Sequence, residues 1–187
     1  MIEIGNIKKN SKILIDGFPY TCVEFEHVKP GKGSAFTRCR LRNLKTGQQL
    51  ERTFKSGEKF EEPNLEHRSM QYLFAEGDMH TFMDNENYEQ LSMGKEFLGE
   101  QAGFLKENME VGVLFFDEKP ISVELPIFVE LPIIYTEPGF KGDTATGASK
   151  PAKLAGGHTV TVPLHLKEGD ILKIDTRTGE YVEKVNK

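Results

Sequence analysis

Short runs in which apolar and polar side chains alternate recur along most of this chain. Alternation with period two marks a strand with one wet face. Residues 20–27 alternate, with Thr21, Val23 and Phe25 expected on one side and Cys22, Glu24 and Glu26 on the other. Residues 36–44 alternate as well: Arg38, Arg40 and Arg42 share one face, and Thr37, Cys39 and Leu41 share the other. Ile13, Leu14 and Ile15 read as a strand closed by Asp16-Gly17, and residues 43–47 as a turn. Further strands are expected at 69–75, 79–84, 111–116, 121–125, 127–131, 159–166, 171–175 and 180–185, with turns at 76–78, 117–120 and 176–179. One segment departs from this pattern. Over 94–108, Phe97, Leu98, Gln101, Phe104 and Leu105 fall near i, i+3, i+4 spacing, which predicts a helix shortened by Gly99 and Gly103. Residues 136–157, rich in Gly, Lys, Thr and Ala, read as a long loop.

Many short strands at near-even spacing, separated by Gly and Pro turns, predict an all-β chain built of small barrels. Pro63 and Pro126 interrupt the pattern and suggest three domains, 1–64, 65–126 and 127–187. Composition fits a soluble globular protein, at 37% apolar and 28% charged residues. No apolar run reaches the roughly 20 residues that span a bilayer, and the amino terminus lacks the apolar core of a secretory signal. The only cysteines, Cys22 and Cys39, suit a reducing, cytoplasmic setting and argue against a disulfide scaffold or cysteine-rich zinc site. If Lys29 and Ser34 close the hairpin, Cys22 faces Leu41 and Cys39 faces Glu24, which predicts free thiols.

Charge sharpens the picture. The net charge of −5 hides a basic first third: residues 1–64 carry +4, residues 65–128 carry −9, and the remainder is neutral. Within 29–55 there are eight basic residues and a single acid, Glu51. Such a basic end on an acidic body can dock phosphate with one face only. No phosphate loop, zinc-protease or nucleophile-elbow motif is present, the five histidines are scattered, and no nucleophile–base pair can be nominated. The expectation is therefore a protein that is not an enzyme, with no cofactor and no metal site.

The distinctive feature is Lys29-Pro30-Gly31-Lys32-Gly33-Ser34, between two alternating strands. Pro-Gly suits the centre of a type II turn, and glycines on both sides leave Lys32 as a projecting ammonium on a flexible stem. The arginine stripe on the strand leaving that tip can be either a solvated face or a phosphate-binding one; beside the lysine tip and Lys55, phosphate contact is the stronger reading. The glycine-rich segment around Gly142, Asp143, Thr144, Ala145 and Gly147 either lets backbone amides approach nucleic acid or is a plain connecting loop.

At this point the residues resemble a known family. KPGKGSAF in the first third, GDTATG with KPAKL in the third, and DTRTGEYVEKV at the end are similar to bacterial elongation factor P. Ala148, Gly156 and Lys184 depart from the residues common there. The resemblance implies an SH3-like, KOW-type barrel followed by two OB-fold barrels in a tRNA-like outline. It implies a monomer that binds both ribosomal subunits between the P and E sites, beside peptidyl-tRNA, with no membrane association. Lys32 would then point to the peptidyl-transferase centre, help runs of prolines through, and serve as substrate for a modifying enzyme. Arg38, Arg40, Arg42 and Lys55 would meet tRNA and ribosomal RNA, with Lys29, Pro30, Gly31 and Gly33 shaping the tip. Gly142, Asp143, Thr144, Ala145 and Gly147 would lie near the E-site codon. The alternative is a generic RNA-binding, ribosome-associated module that does not act in that centre.

Overall fold

The computed structural model describes residues 1–139 and 148–185. Its strands are β1 (Ile2–Glu3), β2 (Lys12–Ile15), β3 (Phe18–Val28), β4 (Phe36–Asn43), β5 (Gln49–Lys55), β6 (Lys59–Phe60), β7 (Leu65–Glu76) and β8 (Met79–Asp84). They continue with β9 (Gln90–Gly94), β10 (Glu110–Phe116), β11 (Lys119–Glu124), β12 (Phe128–Thr136), β13 (Ser149–Leu154), β14 (Thr159–Pro163), β15 (Ile171–Asp175) and β16 (Glu180–Lys184). The sheets run β2-β3-β4-β5, β1-β6, β11-β10-β7-β8-β9 and β14-β13-β12-β15-β16. The all-β expectation therefore holds. The chain condenses into two compact units, one of residues 1–67 with 113–122 and one of 68–112 with 123–187.

In the first unit, Ile4, Ile7, Ile13, Ile15, Cys22, Cys39, Leu41 and Phe54 are buried together, with Ile2, Tyr20 and Phe60 packed against them. Apart from Ile4 and Ile7, which sit on a short 3-10 segment and its end, these are inward positions of the strands, and their removal from water is the main force holding the sheet in place. The turn between β2 and β3 places Asp16 and Gly17 at positive φ, as a two-residue hairpin requires. Asn43 closes the β4–β5 turn with its side chain, which accepts from the Lys45 and Thr46 amides at 2.8 and 3.1 Å.

Four sequence expectations change. The predicted helix is one α-helical turn, α1 (Lys95–Leu98), followed by a 3-10 segment (Gly99–Phe104). Gly99 takes φ +60, ψ −139, a conformation that ends the helix. Of the expected face, Leu98, Phe104 and Leu105 are buried, whereas Phe97 is exposed. The stretch 136–157 is not wholly loop, because β13 occupies part of it. Its alternation is disguised by a lysine on the inward row: Lys150 is buried with Ala152 and Leu154, and its Nζ donates to the Glu137 carbonyl at 2.6 Å. The third and fourth changes, in the register of β3 and in the turn at its end, are taken up with the site.

The DTRTG segment explains itself as structure. Thr176 Oγ1 lies 2.7 and 3.0 Å from the carbonyls of Pro126 and Ile127, so the turn holds the start of β12. Asp175 accepts from the Arg177 amide and guanidinium at 2.9 to 3.1 Å, which pushes its carboxyl below the usual range. Gly179 offers its carbonyl to His158 Nε2 at 2.9 Å, and His158 packs on Phe104 with ring centroids 4.4 Å apart. Beside them Gly156 sits at φ +102, and a Cβ there would lie 2.5 Å from the Gly103 carbonyl oxygen. Gly156→Ala is therefore expected to destabilise the second unit by more than about 1 kcal/mol, read from urea midpoints, because both backbone strain and close contact oppose it.

Cys22 and Cys39 are free and buried. Burial pushes both thiols up, Cys39 to about 12 with help from the adjacent Cys22. The fold thus favours the protonated thiol. That contribution is whole below the ordinary thiol value of 9.0 and is lost as pH rises toward about 12. Two results are expected: an aromatic disulfide reagent titrates both thiols only after denaturation, and thermal stability falls over that alkaline window less steeply in Cys39→Ala than in the parent chain.

Candidate functional site

The site begins with a fault in a ladder. From Tyr20 to Cys22, β3 pairs with β4 as Tyr20–Asn43, Thr21–Arg42 and Cys22–Leu41; the register then shifts between Cys22 and Glu24. Beyond the shift the partners are Glu24–Arg40, Phe25–Cys39, Glu26–Arg38, His27–Thr37 and Val28–Phe36. Val23 is the extra residue of a β-bulge, and a one-residue slip exchanges the faces of everything that follows. This corrects two expectations. Cys39 faces Phe25 rather than Glu24, and Val23 and Phe25 do not continue the row begun by Thr21.

The bulge also sets the tip. With Val28 and Phe36 as the last partners, the connection is 29–35, and Lys32 is its middle residue. Residues 29–34 are all exposed. Positive φ falls on Gly33 (+104) and not on Gly31, so the expected type II turn centred on Pro30-Gly31 does not form. A connection of this length reverses the chain gradually and needs no tight turn. Lys32 makes no hydrogen bond or ion pair among the described residues, and Lys29, Pro30, Gly31 and Gly33 surround it without bulk.

Along β4 the predicted faces are present. Thr37, Cys39 and Leu41 are buried, while Arg38, Arg40 and Arg42 are exposed. The structure adds what the local sequence could not show. Arg38 pairs with Glu26 at 3.5 Å, and Arg40 lies between Glu24 at 3.0 Å and Glu51 at 3.4 Å. All these side chains stay largely in water, at 43 to 66% exposure. Arg42 has no such partner among the described residues. It lies instead beside Lys12, whose ammonium is held below its usual value by burial and by that guanidinium. Lys12 Nζ donates to Thr21 Oγ1 and the Asn10 carbonyl, both at 2.9 Å. Lys55 is the partner of Phe36 and stands at the tip end of the sheet, where the Ser56 amide donates to the Ala35 carbonyl at 3.1 Å.

The hairpin thus brings the lysine tip, Lys55 and the stripe onto one sheet. Sequence reasoning missed Glu24, Glu26 and Lys12 as members of the site. The alternation of Glu24 and Glu26 on β3 was visible; their alignment with the arginines was not. Gly142, Asp143, Thr144, Ala145 and Gly147 lie outside the described residues. Among the described residues, no group of three histidine, cysteine or carboxylate side chains could hold a metal ion, and no helix is long and apolar enough to cross a membrane.

Comparison with known proteins places this geometry. Residues 3–60 match the Elongation factor P (EF-P) KOW-like domain, residues 65–123 the Elongation factor P (EF-P) OB domain, and residues 129–184 the Elongation factor P, C-terminal domain. Elongation factor P of Bdellovibrio bacteriovorus is 51% identical over 186 residues, covering 100% of this chain and 99% of the relative. That of Natranaerobius thermophilus is 53% identical over 185 residues, covering 99% and 98%.

The chain belongs to the elongation factor P family.

It is accordingly a translation factor rather than an enzyme, with a KOW-like domain and OB domains. Among solved structures, eukaryotic translation initiation factor 5A from Methanococcus jannaschii superposes with a TM-score of 0.55 at 26% identity, covering 66% of this chain and 91% of that one. A family protein of the same factor from Naegleria fowleri shares the fold, with a TM-score of 0.53 at 21% identity over 66% of this chain and 96% of its own.

The ion pairs on the stripe are solvated, so their energetic weight is small. A double-mutant cycle on Glu24 and Arg40, both truncated to alanine, is expected to give a coupling of about 0.2–1 kcal/mol in urea unfolding that fades at high salt. A larger, salt-independent coupling would mean that the pair belongs to the structural core of the sheet.

Proposed function

We propose that the chain binds the ribosome between the P and E sites, beside peptidyl-tRNA, and promotes peptide-bond formation at consecutive prolines. The observation that carries this reading is Lys32: the middle residue of an exposed connection, flanked by glycines and free of partners among the described residues. An ammonium presented in that way can enter a narrow crevice without disturbing its own fold. The chemistry remains the ribosome's. The factor lowers the barrier by holding a slow prolyl substrate in a reactive geometry, a positioning effect that reduces the entropic part of the barrier.

In this reading the chain acts as a cytoplasmic monomer of three domains, 1–64, 65–126 and 127–187, a division supported by the three matched segments. Arg38, Arg40, Arg42 and Lys55 face tRNA and ribosomal RNA phosphates. Lys29, Pro30, Gly31 and Gly33 shape the approach of the tip. Residues 142–147 read the E-site region, a proposal that rests on their sequence alone. Lys32 is also the residue a modifying enzyme would extend, since it is exposed and its amine has no partner among the described residues.

Lys32→Ala tests the central claim. Because the side chain is exposed and has no hydrogen bond or ion pair among the described residues, stability should stay within about 0.5 kcal/mol of the parent. Synthesis of a consecutive-proline reporter in a reconstituted translation system should nevertheless lose its dependence on the factor. Full rescue by the alanine variant would remove Lys32 from the mechanism, and intact-mass measurement of the native protein reports whether the amine is extended.

A further inference from the structure

We propose that Glu24, Glu26 and Glu51 are specificity-determining residues, which hold the arginine stripe in check so that it engages phosphates only where the target displaces them. The inference rests on reading the stripe as RNA-facing. It begins with the ladder: Glu24 is the direct partner of Arg40, Glu26 of Arg38, and Arg40 of Glu51 on the other side. The side chains follow the backbone, at 3.0, 3.5 and 3.4 Å. The Val23 bulge makes the alignment. On an unbroken ladder continuing from Cys22–Leu41, Arg40 would oppose Val23 and Arg38 would oppose Phe25, and no carboxylate of β3 would stand opposite either arginine.

Two consequences follow. First, the stripe is electrically quiet where the sequence count makes it strongly basic. The Arg40 guanidinium between two carboxylates contributes a local excess of negative charge, and the Arg38–Glu26 pair is neutral. Among the described residues, cations of this sheet without a carboxylate partner include Arg42 with its neighbour Lys12, Arg52, and those of the tip end, Lys29, Lys32 and Lys55. Second, an arginine already paired has an intramolecular counterion. When it binds a phosphate it exchanges one anion for another and releases few ions from solution, so arbitrary RNA gains little from it. A target whose phosphates fit the guanidinium fork can still displace an exposed carboxylate, because such pairs are weak and both partners stay in water. The carboxylates therefore subtract affinity from every RNA but subtract least from one of matching shape. For a factor that must find one ribosomal site amid a large excess of other RNA, that difference is selectivity.

The test uses the full chain and four variants: Glu24→Gln with Glu51→Gln together, each of these alone, and Arg40→Gln. Glutamine keeps the shape and removes the charge, and thermal melts establish that each variant is folded. Affinity is measured from about 50 to 200 mM salt, first for an RNA duplex of arbitrary sequence and then for ribosomes carrying P-site tRNA. Each carboxylate removed is expected to tighten duplex binding about threefold and to steepen the log–log salt slope by about one. Ribosome binding is expected to change less, so that the ratio of ribosome to duplex affinity falls. Arg40→Gln is expected to weaken ribosome binding. If Arg40→Gln weakens it while the glutamine variants leave duplex affinity and slope unchanged, the carboxylates do not restrain the stripe, and this inference fails while the RNA-facing reading stands. Equal tightening toward duplex and ribosome would reduce the carboxylates to general charge damping and overturn their role in selectivity. If neither Arg40→Gln nor the double variant alters any RNA affinity, the stripe is only a solvated strand face and both readings fall.

Discussion

The single extra residue at Val23 is the constraint on which the site depends. A β-bulge locally disrupts the ladder and bends its strand, yet here it does two things at once. It turns Glu24 and Glu26 outward beside Arg40 and Arg38. It also shifts the hairpin's midpoint onto Lys32, so that the lysine stands at the summit of the connection and not on one flank.

Electrostatics on this sheet obeys spatial neighbourhood, not chain neighbourhood. The run from Lys29 to Lys55 is strongly basic by sequence, but an antiparallel strand sees across to residues far from it in the chain. Exposed pairs of this kind contribute little to stability, so their presence is better understood through what they do to the surface potential. The result is a face that is charged in composition and nearly balanced in effect, with unbalanced cations left at its ends.

The second unit shows the opposite use of conspicuous sequence. The DTRTG turn, Gly156 and the buried Lys150 each perform a structural task. Thr176 fastens the start of β12, Gly179 and His158 close a contact against Phe104, and Gly156 admits the Gly103 carbonyl at a distance no side chain would tolerate. Lys150 spends its ammonium on the Glu137 carbonyl beside the end of β12.

Much of this was legible in the chain itself. Period-two alternation identified β4, because a strand with one buried face leaves that mark in every second residue, and a glycine turn flanked by strand-like runs identified the β7–β8 hairpin. The lysine-glycine motif marked the exposed hairpin tip, and the family motifs identified the lineage. The sequence alone did not reveal β13, whose inward row contains a lysine, whereas Gly99 and Gly103 already pointed to a short helix. Least legible was the register of β3 on β4. A bulge is decided by how the whole sheet packs on Ile13, Leu41 and Phe54, not by any local preference of Val23. The residue types available to the site were therefore written in the sequence. Which carboxylate meets which arginine was decided only by the packed sheet, because pairing across strands is set by the burial of the opposite face.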